Sequence, residues 1–207
     1  MIKIFFKFLI FFILSFNTLK ASEYEITVLA TNIANFGGIG EWSFSALLES
    51  DEETLIFDTG FDENTVLHNA TLLNKDLSKV EKVILSHFHG DHTGGLIKLR
   101  KTFMHKNPKA FSSVYVADGF FEQRFDEEGN LRGFIGGHNE VSEFIKDANE
   151  LGINFITIKE PYEIAKNLTL SGPVERIFER VVVSPGFYVK ESGKLIPEER
   201  GRILTAF

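Results

Sequence analysis

The ten residues Ser86–Gly95, SHFHGDHTGG, constrain the fold more than any other stretch of this chain. The short apolar run Lys82–Leu85 precedes them and predicts a buried strand, whereas Gly94–Leu99 predicts the start of a helix. Three histidines and one aspartate therefore lie on a strand-to-helix turn, where loops commonly carry functional groups. Further strands and helices alternate along the chain, which indicates a layered α/β fold.

The polar side chains of this turn predict a metal site. Imidazole nitrogens and carboxylate oxygens are good ligands for Zn²⁺ and related ions. His87 and His89 are two residues apart in extended backbone, so they point the same way and can bind one ion together. Asp91 and His92 follow the turn at Gly90 and can face a second ion. The alternative is a set of packed or solvated histidines, but buried imidazoles and a buried carboxylate would need partners.

The pattern His87-x-His89-x-Asp91-His92 resembles the HxHxDH motif of the metallo-β-lactamase superfamily. The segments Trp42–Glu49 and Leu55–Gly60 resemble the two strands that precede the motif in that superfamily. The motif region is most similar to the branch named for dihydropterin aminobenzene-phosphate synthases, in which it usually reads SHGHYDHTGGL. Here Phe88 and Gly90 replace the usual Gly and Tyr, so the resemblance does not assign a substrate.

The resemblance implies an αββα sandwich, of which this chain carries the first half and part of the second. It also implies two divalent ions, Zn²⁺ with Mn²⁺ and Fe²⁺ as alternatives. His87 and His89 would bind one ion, and Asp91 and His92 the other. Asp91 would also orient the attacking hydroxide or transfer a proton. The implied activity is a metal-dependent hydrolase, or a related lyase or transferase, that acts on a small ester, amide or phosphoester-like substrate.

Asp58 stands at the end of the strand Thr54–Phe57, ahead of the motif. It can be interpreted as a carboxylate that hydrogen-bonds to a histidine ligand and orients it. The alternative is an ordinary turn-initiating aspartate before Thr59-Gly60. The resemblance favours the first interpretation.

The C-terminal part of the chain departs from the superfamily, whose second half normally supplies a further histidine, a bridging carboxylate and a last histidine. No histidine follows His138, and Gly201–Phe207 resembles the strand that leads to the next ligand. We therefore expect a C-terminally incomplete domain, residues 22–207. The alternative function is a non-catalytic or weakly metal-binding remnant of such an enzyme. An uncovered sheet face would favour self-association, so a homodimer stays open.

Residues 1–21 are typical of a secretory signal peptide: basic at the start, then apolar over Phe8–Phe16, with small residues near Ala21. The alternatives are an uncleaved anchor or a buried helix. We expect a periplasmic or secreted protein with no stable membrane association after cleavage. Removal of residues 1–21 takes away three lysines and no acidic residue, so the formal charge changes from −7 to −10. This acidity favours a small-molecule substrate over nucleic acid, and the absence of cysteine excludes disulfides and thiolate metal ligands.

Two segments could border the active site. Asn32–Gly40 is rich in Gly and Asn and indicates a mobile loop, with an ordinary linker as the alternative. Phe120–His138 indicates an inserted hairpin or lid. Its residues Arg124, Arg132 and His138 are candidates for binding an anionic or polar substrate, although each taken alone is better explained as part of a solvated hairpin edge.

Overall fold

The computed structural model describes residues 24–133, 135–173, 186–197 and 204–206. The predicted signal peptide, residues 1–21, lies outside this part of the chain. The strands are β1 (Glu25–Ala30), β2 (Ser45–Glu49), β3 (Thr54–Phe57), β4 (Lys82–Ile84), β5 (Ser113–Ala117), β6 (Asn154–Ile158), β7 (Tyr162–Ala165), β8 (Leu168–Pro173), β9 (Tyr188–Glu191), β10 (Lys194–Pro197) and β11 (Leu204–Ala206). The helices are α1 (Thr65–Leu72), α2 (Gly90–Thr93), α3 (Leu96–Phe103) and α4 (Val141–Glu150), with a 3₁₀ turn at Leu77–Lys79.

Strands β1 to β6 form one sheet in chain order. The first three pair antiparallel, and β3 to β6 pair parallel. Parallel strands must be joined by a crossover connection, and α2 and α3 form the connection between β4 and β5. The carboxyl ends of β3 and β4 consequently lie side by side, which brings Asp58 and the motif turn to one edge of the sheet.

Alternating side chains of this sheet enter two separate cores. Leu47, Ile56 and Val83 face the helices, together with Val66 of α1 and Phe144 of α4. Their neighbours along the strands, Leu48, Leu55 and Ile84, face the opposite way. Full burial of each Leu, Ile or Val side chain contributes about 1.5–3 kcal/mol relative to exposure. A sheet that is apolar on both faces must be covered on both faces, so the motif strand is held in the middle layer of the fold.

The second core is closed by a smaller antiparallel sheet of order β11-β8-β7. Ile164, Leu168 and Leu170 of this sheet pack against Leu55 and Ile84 of the large sheet. The described residues thus form a helix layer, a six-stranded sheet and a three-stranded sheet. The predicted α/β layering is confirmed, with the second sheet present in part.

The second predicted strand is shorter than expected. The sequence predicts a start at Trp42, whereas pairing begins at Ser45. The Phe44 amide donates to the Asp91 carbonyl (3.2 Å), and the Phe44 carbonyl accepts from the Gly60 amide (3.1 Å). These bonds tie the backbone before β2 to the motif turn instead of to a neighbouring strand, and they bring Trp42 to the site.

Among the residues that the structure describes, no helix combines the length and apolar character required to cross a bilayer.

Candidate metal centre

The motif residues lie on a tight turn between β4 and the four-residue helix α2. His89 is extended (φ −62°, ψ 146°) and its carbonyl accepts from the Thr93 hydroxyl at 3.0 Å, so the chain turns sharply at Gly90. The Gly94 amide donates to the Gly60 carbonyl at 2.9 Å. A Cβ atom at Gly94 would collide with the Phe61 carbonyl, so glycine permits this close approach.

His87, Asp91 and His92 converge at this turn. One ligand atom from each lies within 4.8 Å of the others, which is the spacing of side chains that could hold one metal ion. All three are partly exposed, so an ion could reach them from solvent. Asp91 Oδ2 is 3.6 Å from His92 Nε2. The structure therefore brings together three of the four predicted ligands.

Asp58 holds the motif turn in place through hydrogen bonds with Ser86 and His92. It is fully buried and has a left-handed backbone (φ 57°), a conformation that Asp tolerates better than most residues. Its Oδ1 accepts from the Ser86 amide at 2.7 Å, and its Oδ2 accepts from the Ser86 hydroxyl at 2.7 Å. Oδ2 also lies 2.7 Å from His92 Nδ1. The contact expected between Asp58 and a motif histidine is thus present in the structure.

These contacts define which histidine nitrogens are available. His92 Nδ1 can donate a hydrogen bond to the Asp58 carboxylate, which leaves Nε2, on the side of the ring that faces Asp91, as the nitrogen that can bind a metal. The Ser86 hydroxyl donates its hydrogen bond to Asp58, so its oxygen can accept one from His87 Nδ1 at 3.0 Å. His87 Nε2 is then left unprotonated. A carboxylate that fixes the tautomer of a histidine is a common support for a metal ligand.

Burial and neighbouring charges shift the pKa values of this cluster. Burial lowers the pKa of His87 to about 3, and the positive charges of His92, His89 and Arg124 add to the shift. Burial alone would also lower the pKa of His92, but its hydrogen bond with Asp58 and the charges of Asp58 and Asp91 outweigh burial and raise it. Burial raises the pKa of Asp58, although His92 and Ser86 oppose the shift. His87 is therefore neutral near pH 7, the form that binds a metal.

His89 lies beside the converging group but is not one of its three members. Its ring centroid is 4.6 Å from that of His87 and 5.3 Å from that of Phe187, on which it stacks. Phe187 directly precedes β9 and comes 98 positions after His89. Arg132 also lies over the Phe187 ring, with its guanidinium carbon 4.4 Å from the ring centroid.

Two of the three predicted lid residues, Arg124 and His138, lie away from the cleft. Arg124 is buried, not solvated: its guanidinium donates to the Phe120 and Glu122 carbonyls and lies 3.8 Å from the Phe88 ring centroid. His138 Nε2 pairs with Asp147 of α4 at 3.2 Å.

Of those three lid residues, Arg132 is the exposed one and the one that lines the cleft beside Asp91. The lid itself is an irregular segment whose Phe125 bonds to Tyr188 in both directions at 2.9 Å. The predicted lid is therefore joined to the β9–β10 hairpin.

The loop Asn32–Gly40 has no regular secondary structure, but Asn69 of α1 ties both its ends down. The Asn69 amide nitrogen donates to the Leu29 carbonyl (2.7 Å) and the Ile39 carbonyl (2.8 Å). Its oxygen accepts from the Ile39 amide at 2.9 Å. Trp42, just after this loop, is the residue that reaches the cleft.

The fold and this cluster agree with what comparison with known families finds. The model of the metallo-beta-lactamase superfamily matches residues 43–162, more than half of the chain. The chain belongs to the metallo-β-lactamase superfamily. The matched region contains the motif turn, Asp58 and the whole six-stranded sheet except β1.

Two relatives from Methanocaldococcus jannaschii are similar over most of the chain. An uncharacterized protein is 29% identical over 174 residues, which are 84% of this chain and 62% of the relative. The 7,8-dihydropterin-6-methyl-4-(β-D-ribofuranosyl)-aminobenzene-5'-phosphate synthase is 25% identical over 187 residues, 86% of this chain and 60% of the relative. The solved structure of Tm1679, a metal-dependent hydrolase of the β-lactamase superfamily, matches with a TM-score of 0.58 and 25% identity over 89% of this chain and 60% of that one. This chain thus spans about 60% of the length of these similar proteins.

Three residues that line the cleft are absent from the predicted site: Trp42, Phe61 and Phe187. A signal existed for Trp42, because the single tryptophan of the chain stands at a predicted strand end beside a glycine-rich loop. Phe187 gives no local signal, since only the folded chain brings it to His89.

Proposed function

We propose that this protein is an exported metal-dependent hydrolase that cleaves a small ester, amide or phosphoester-like substrate. The observation that carries the proposal is the convergence of His87, Asp91 and His92 within 4.8 Å, in a chain of the metallo-β-lactamase superfamily. The similarity to Tm1679, a metal-dependent hydrolase, supports the reaction class. The name of the synthase relative leaves a related transferase as a variant of the same chemistry.

The donor set fits a divalent first-row metal ion. Two imidazoles whose Nδ1 atoms already have partners, together with one carboxylate, are ligands that Zn²⁺, Mn²⁺ and Fe²⁺ all accept. We expect two ions in the full superfamily site, where His89, whose ring centroid is 4.6 Å from that of His87, would be a further ligand. When bound, such ions polarise the scissile group and lower the pKa of the attacking water.

The remaining roles belong to the chain's own side chains. Asp91 is the carboxylate of the cluster that lines the cleft, so it is placed to orient the nucleophile and to accept or return its proton. Asp58 and Ser86 hold His92 and His87 in the tautomers that present Nε2.

Export to the periplasm or the medium is part of the proposal because residues 1–21 have the pattern of a signal peptide. Fusing residues 1–30 to a reporter enzyme that is active only outside the cytoplasm would test it. Reporter activity is expected, and its loss is expected when Phe11 and Ile13 are replaced by Asp. Activity that stays confined to the cytoplasm would contradict export.

The formal charge of −7 supports a small-molecule substrate and argues against nucleic acid. A homodimer is proposed as the assembly to look for, and light scattering of the purified chain would test it. A monomer at all concentrations would overturn that part of the proposal.

The hydrolase proposal is tested with a panel of small esters, amides and phosphoesters, assayed before and after chelation. Cleavage of at least one member is expected to be lost on chelation and restored by Zn²⁺ or Mn²⁺. Asp91→Asn should lose activity, whereas His105→Ala, at an exposed histidine outside the cluster, should retain it. Metal binding without cleavage of any member would favour the alternative, a non-catalytic metal-binding chain.

A further inference from the structure

A cleft of about 620 Å³ opens beside the candidate metal centre. Asp91 and His89 lie on the side of the cleft that faces the metal centre. The rest of its lining is largely apolar and comes from Trp42, Phe61 and Phe187. A cleft of this size, mainly aromatic with a few placed polar groups, is typical of small-molecule sites.

Two of these aromatic side chains present unusually large surfaces to solvent. Trp42 is 79% exposed and Phe61 is 49% exposed. The Phe61 backbone is nevertheless held by Glu41, whose Oε1 accepts from the Phe61 amide at 2.7 Å. The same oxygen accepts from the hydroxyl of Ser43, the residue after Trp42, at 2.6 Å. Large apolar surfaces that are left wet at a cleft, beside an anchored stretch of backbone, are suited to a ligand that covers them.

The cleft also presents a positive charge. Arg132 is the cationic side chain among the described residues that line it. Its guanidinium stacks on Phe187 at 4.4 Å and donates one hydrogen bond to the Gly186 carbonyl. A guanidinium has five N–H donors, so this anchoring fixes the group and leaves donors for a carboxylate or phosphoryl oxygen. Because the chain has a formal charge of −7, the cation at this site is not explained by a general excess of basic residues.

We propose that this cleft binds small organic anions with a flat apolar body. The anionic group binds Arg132, the flat body covers Trp42 and Phe61, and the bond to be cleaved lies towards Asp91. The position of the bond to be cleaved rests on the proposed hydrolase function. The assignment as a whole names the substrate class of that same site. Arg132 and Trp42 are then specificity-determining residues.

Trp42 makes the test direct because it is the single tryptophan of the chain. Its emission is titrated with phenylacetate, with the neutral analogue phenylacetamide and with acetate, on the chelator-treated chain. Phenylacetate is expected to shift the emission saturably and to bind at least about fivefold more tightly than phenylacetamide, as one charge-assisted hydrogen bond allows. Acetate should give no saturable shift in the same range. Equal binding of all three, or no shift with phenylacetate, would overturn the proposal.

Variants separate the two contacts. Arg132→Gln should abolish the preference for phenylacetate over phenylacetamide, whereas Arg132→Lys should keep part of it. Lys101→Gln is the matched control, because it removes an equal charge from the exposed surface of α3 outside the cleft. Phe61→Ala should weaken both aromatic probes alike. An unchanged preference in Arg132→Gln would contradict the assignment, and circular dichroism identifies any variant that has failed to fold.

The two proposals fail in different ways. Metal-dependent cleavage without selective binding of phenylacetate would overturn the cleft assignment and leave the hydrolase. Selective binding of phenylacetate by a chain that neither retains metal nor cleaves any substrate would support the cleft assignment and overturn the hydrolase.

Discussion

Asp58 Oδ2 lies 2.7 Å from His92 Nδ1, and on the other side of the same ring His92 Nε2 lies 3.6 Å from Asp91 Oδ2. One imidazole therefore joins a fully buried carboxylate to a carboxylate that lines the cleft. The strand end that carries Asp58 and the motif turn that carries His92 are 34 residues apart in sequence. The parallel pairing of β3 with β4 places them together.

Asp58→Ala should weaken metal binding and destabilise the fold. The variant loses the acceptor for His92 Nδ1 and leaves the buried Ser86 amide without its partner. Loss of such a support typically reduces metal affinity about 10–100-fold, and an unsatisfied buried donor costs about 1–3 kcal/mol. Competition with a chelating dye measures the first quantity and urea unfolding the second.

Asp58→Asn is the matched control for that experiment. Asparagine tolerates the left-handed backbone at this position (φ 57°) and keeps an acceptor for the Ser86 amide, but it lacks the charge. It should retain more stability than the alanine variant while still binding metal more weakly than the wild type. Wild-type metal affinity in both variants would contradict the role assigned to Asp58.

Acid should destabilise the metal-free protein partly through His87. Its pKa is about 3 in the folded chain and about 6.5 ordinarily, so the unfolded chain binds a proton that the folded chain does not. This contribution to stability is complete above pH 6.5 and is lost as the pH falls from about 6.5 towards 3, by at most about 1.4 kcal/mol per pH unit. His92 acts with the opposite sign, because its pKa is raised in the folded chain.

Urea unfolding of the chelator-treated protein at pH 7, 6 and 5 measures this dependence. His87→Asn, which cannot titrate, should lose stability less steeply than the wild type as the pH falls. His105→Ala should follow the wild-type slope, since His105 is exposed. The same slope in His87→Asn and in the wild type would show that His87 is not the group responsible.

Glu41 should control the order of the cleft wall. Its carboxylate accepts from the Phe61 and Asp62 amides and from the Thr65 hydroxyl, at 2.7, 3.0 and 2.9 Å. Glu41→Ala should cost about 1–3 kcal/mol of unfolding free energy. It should also lower the fluorescence anisotropy of Trp42, because the adjacent backbone loses its anchor.

Glu52→Gln provides the comparison for Glu41. Glu52 is exposed and pairs with Lys166 at 3.3 Å on the surface, where an ion pair contributes little. This variant should match the wild type in both stability and anisotropy. A Glu41→Ala protein with wild-type anisotropy would contradict the anchoring role.

The fold was largely predictable because its signals are local. The apolar run before the motif predicted β4, and β5 and β6 begin and end where β-rich residues do. The motif spacing also predicted that the three histidines and Asp91 would share one turn, since only a few backbone dihedrals separate them. The predicted pairing of His87 with His89 differs from the structure, where His87 converges with Asp91 and His92.

The rest of the site depends on contacts between distant segments. Phe187 stacks on His89 only because the hairpin β9–β10 is joined to the lid through Phe125. Arg124 was expected at a solvated edge, because no local pattern indicates that Phe88 and two backbone carbonyls will bury it. Such placements follow from packing, which the sequence periodicity does not contain.

The metal content of the purified chain tests the central claim most directly. Elemental analysis after gel filtration of the wild type, of the double variant His87→Ala/His92→Ala and of the control His105→Ala would give it. The wild type and the control should retain about one to two divalent ions per chain, and the double variant close to none. Absence of metal from the wild type, or unchanged metal in the double variant, would contradict the assignment of this turn as a metal centre.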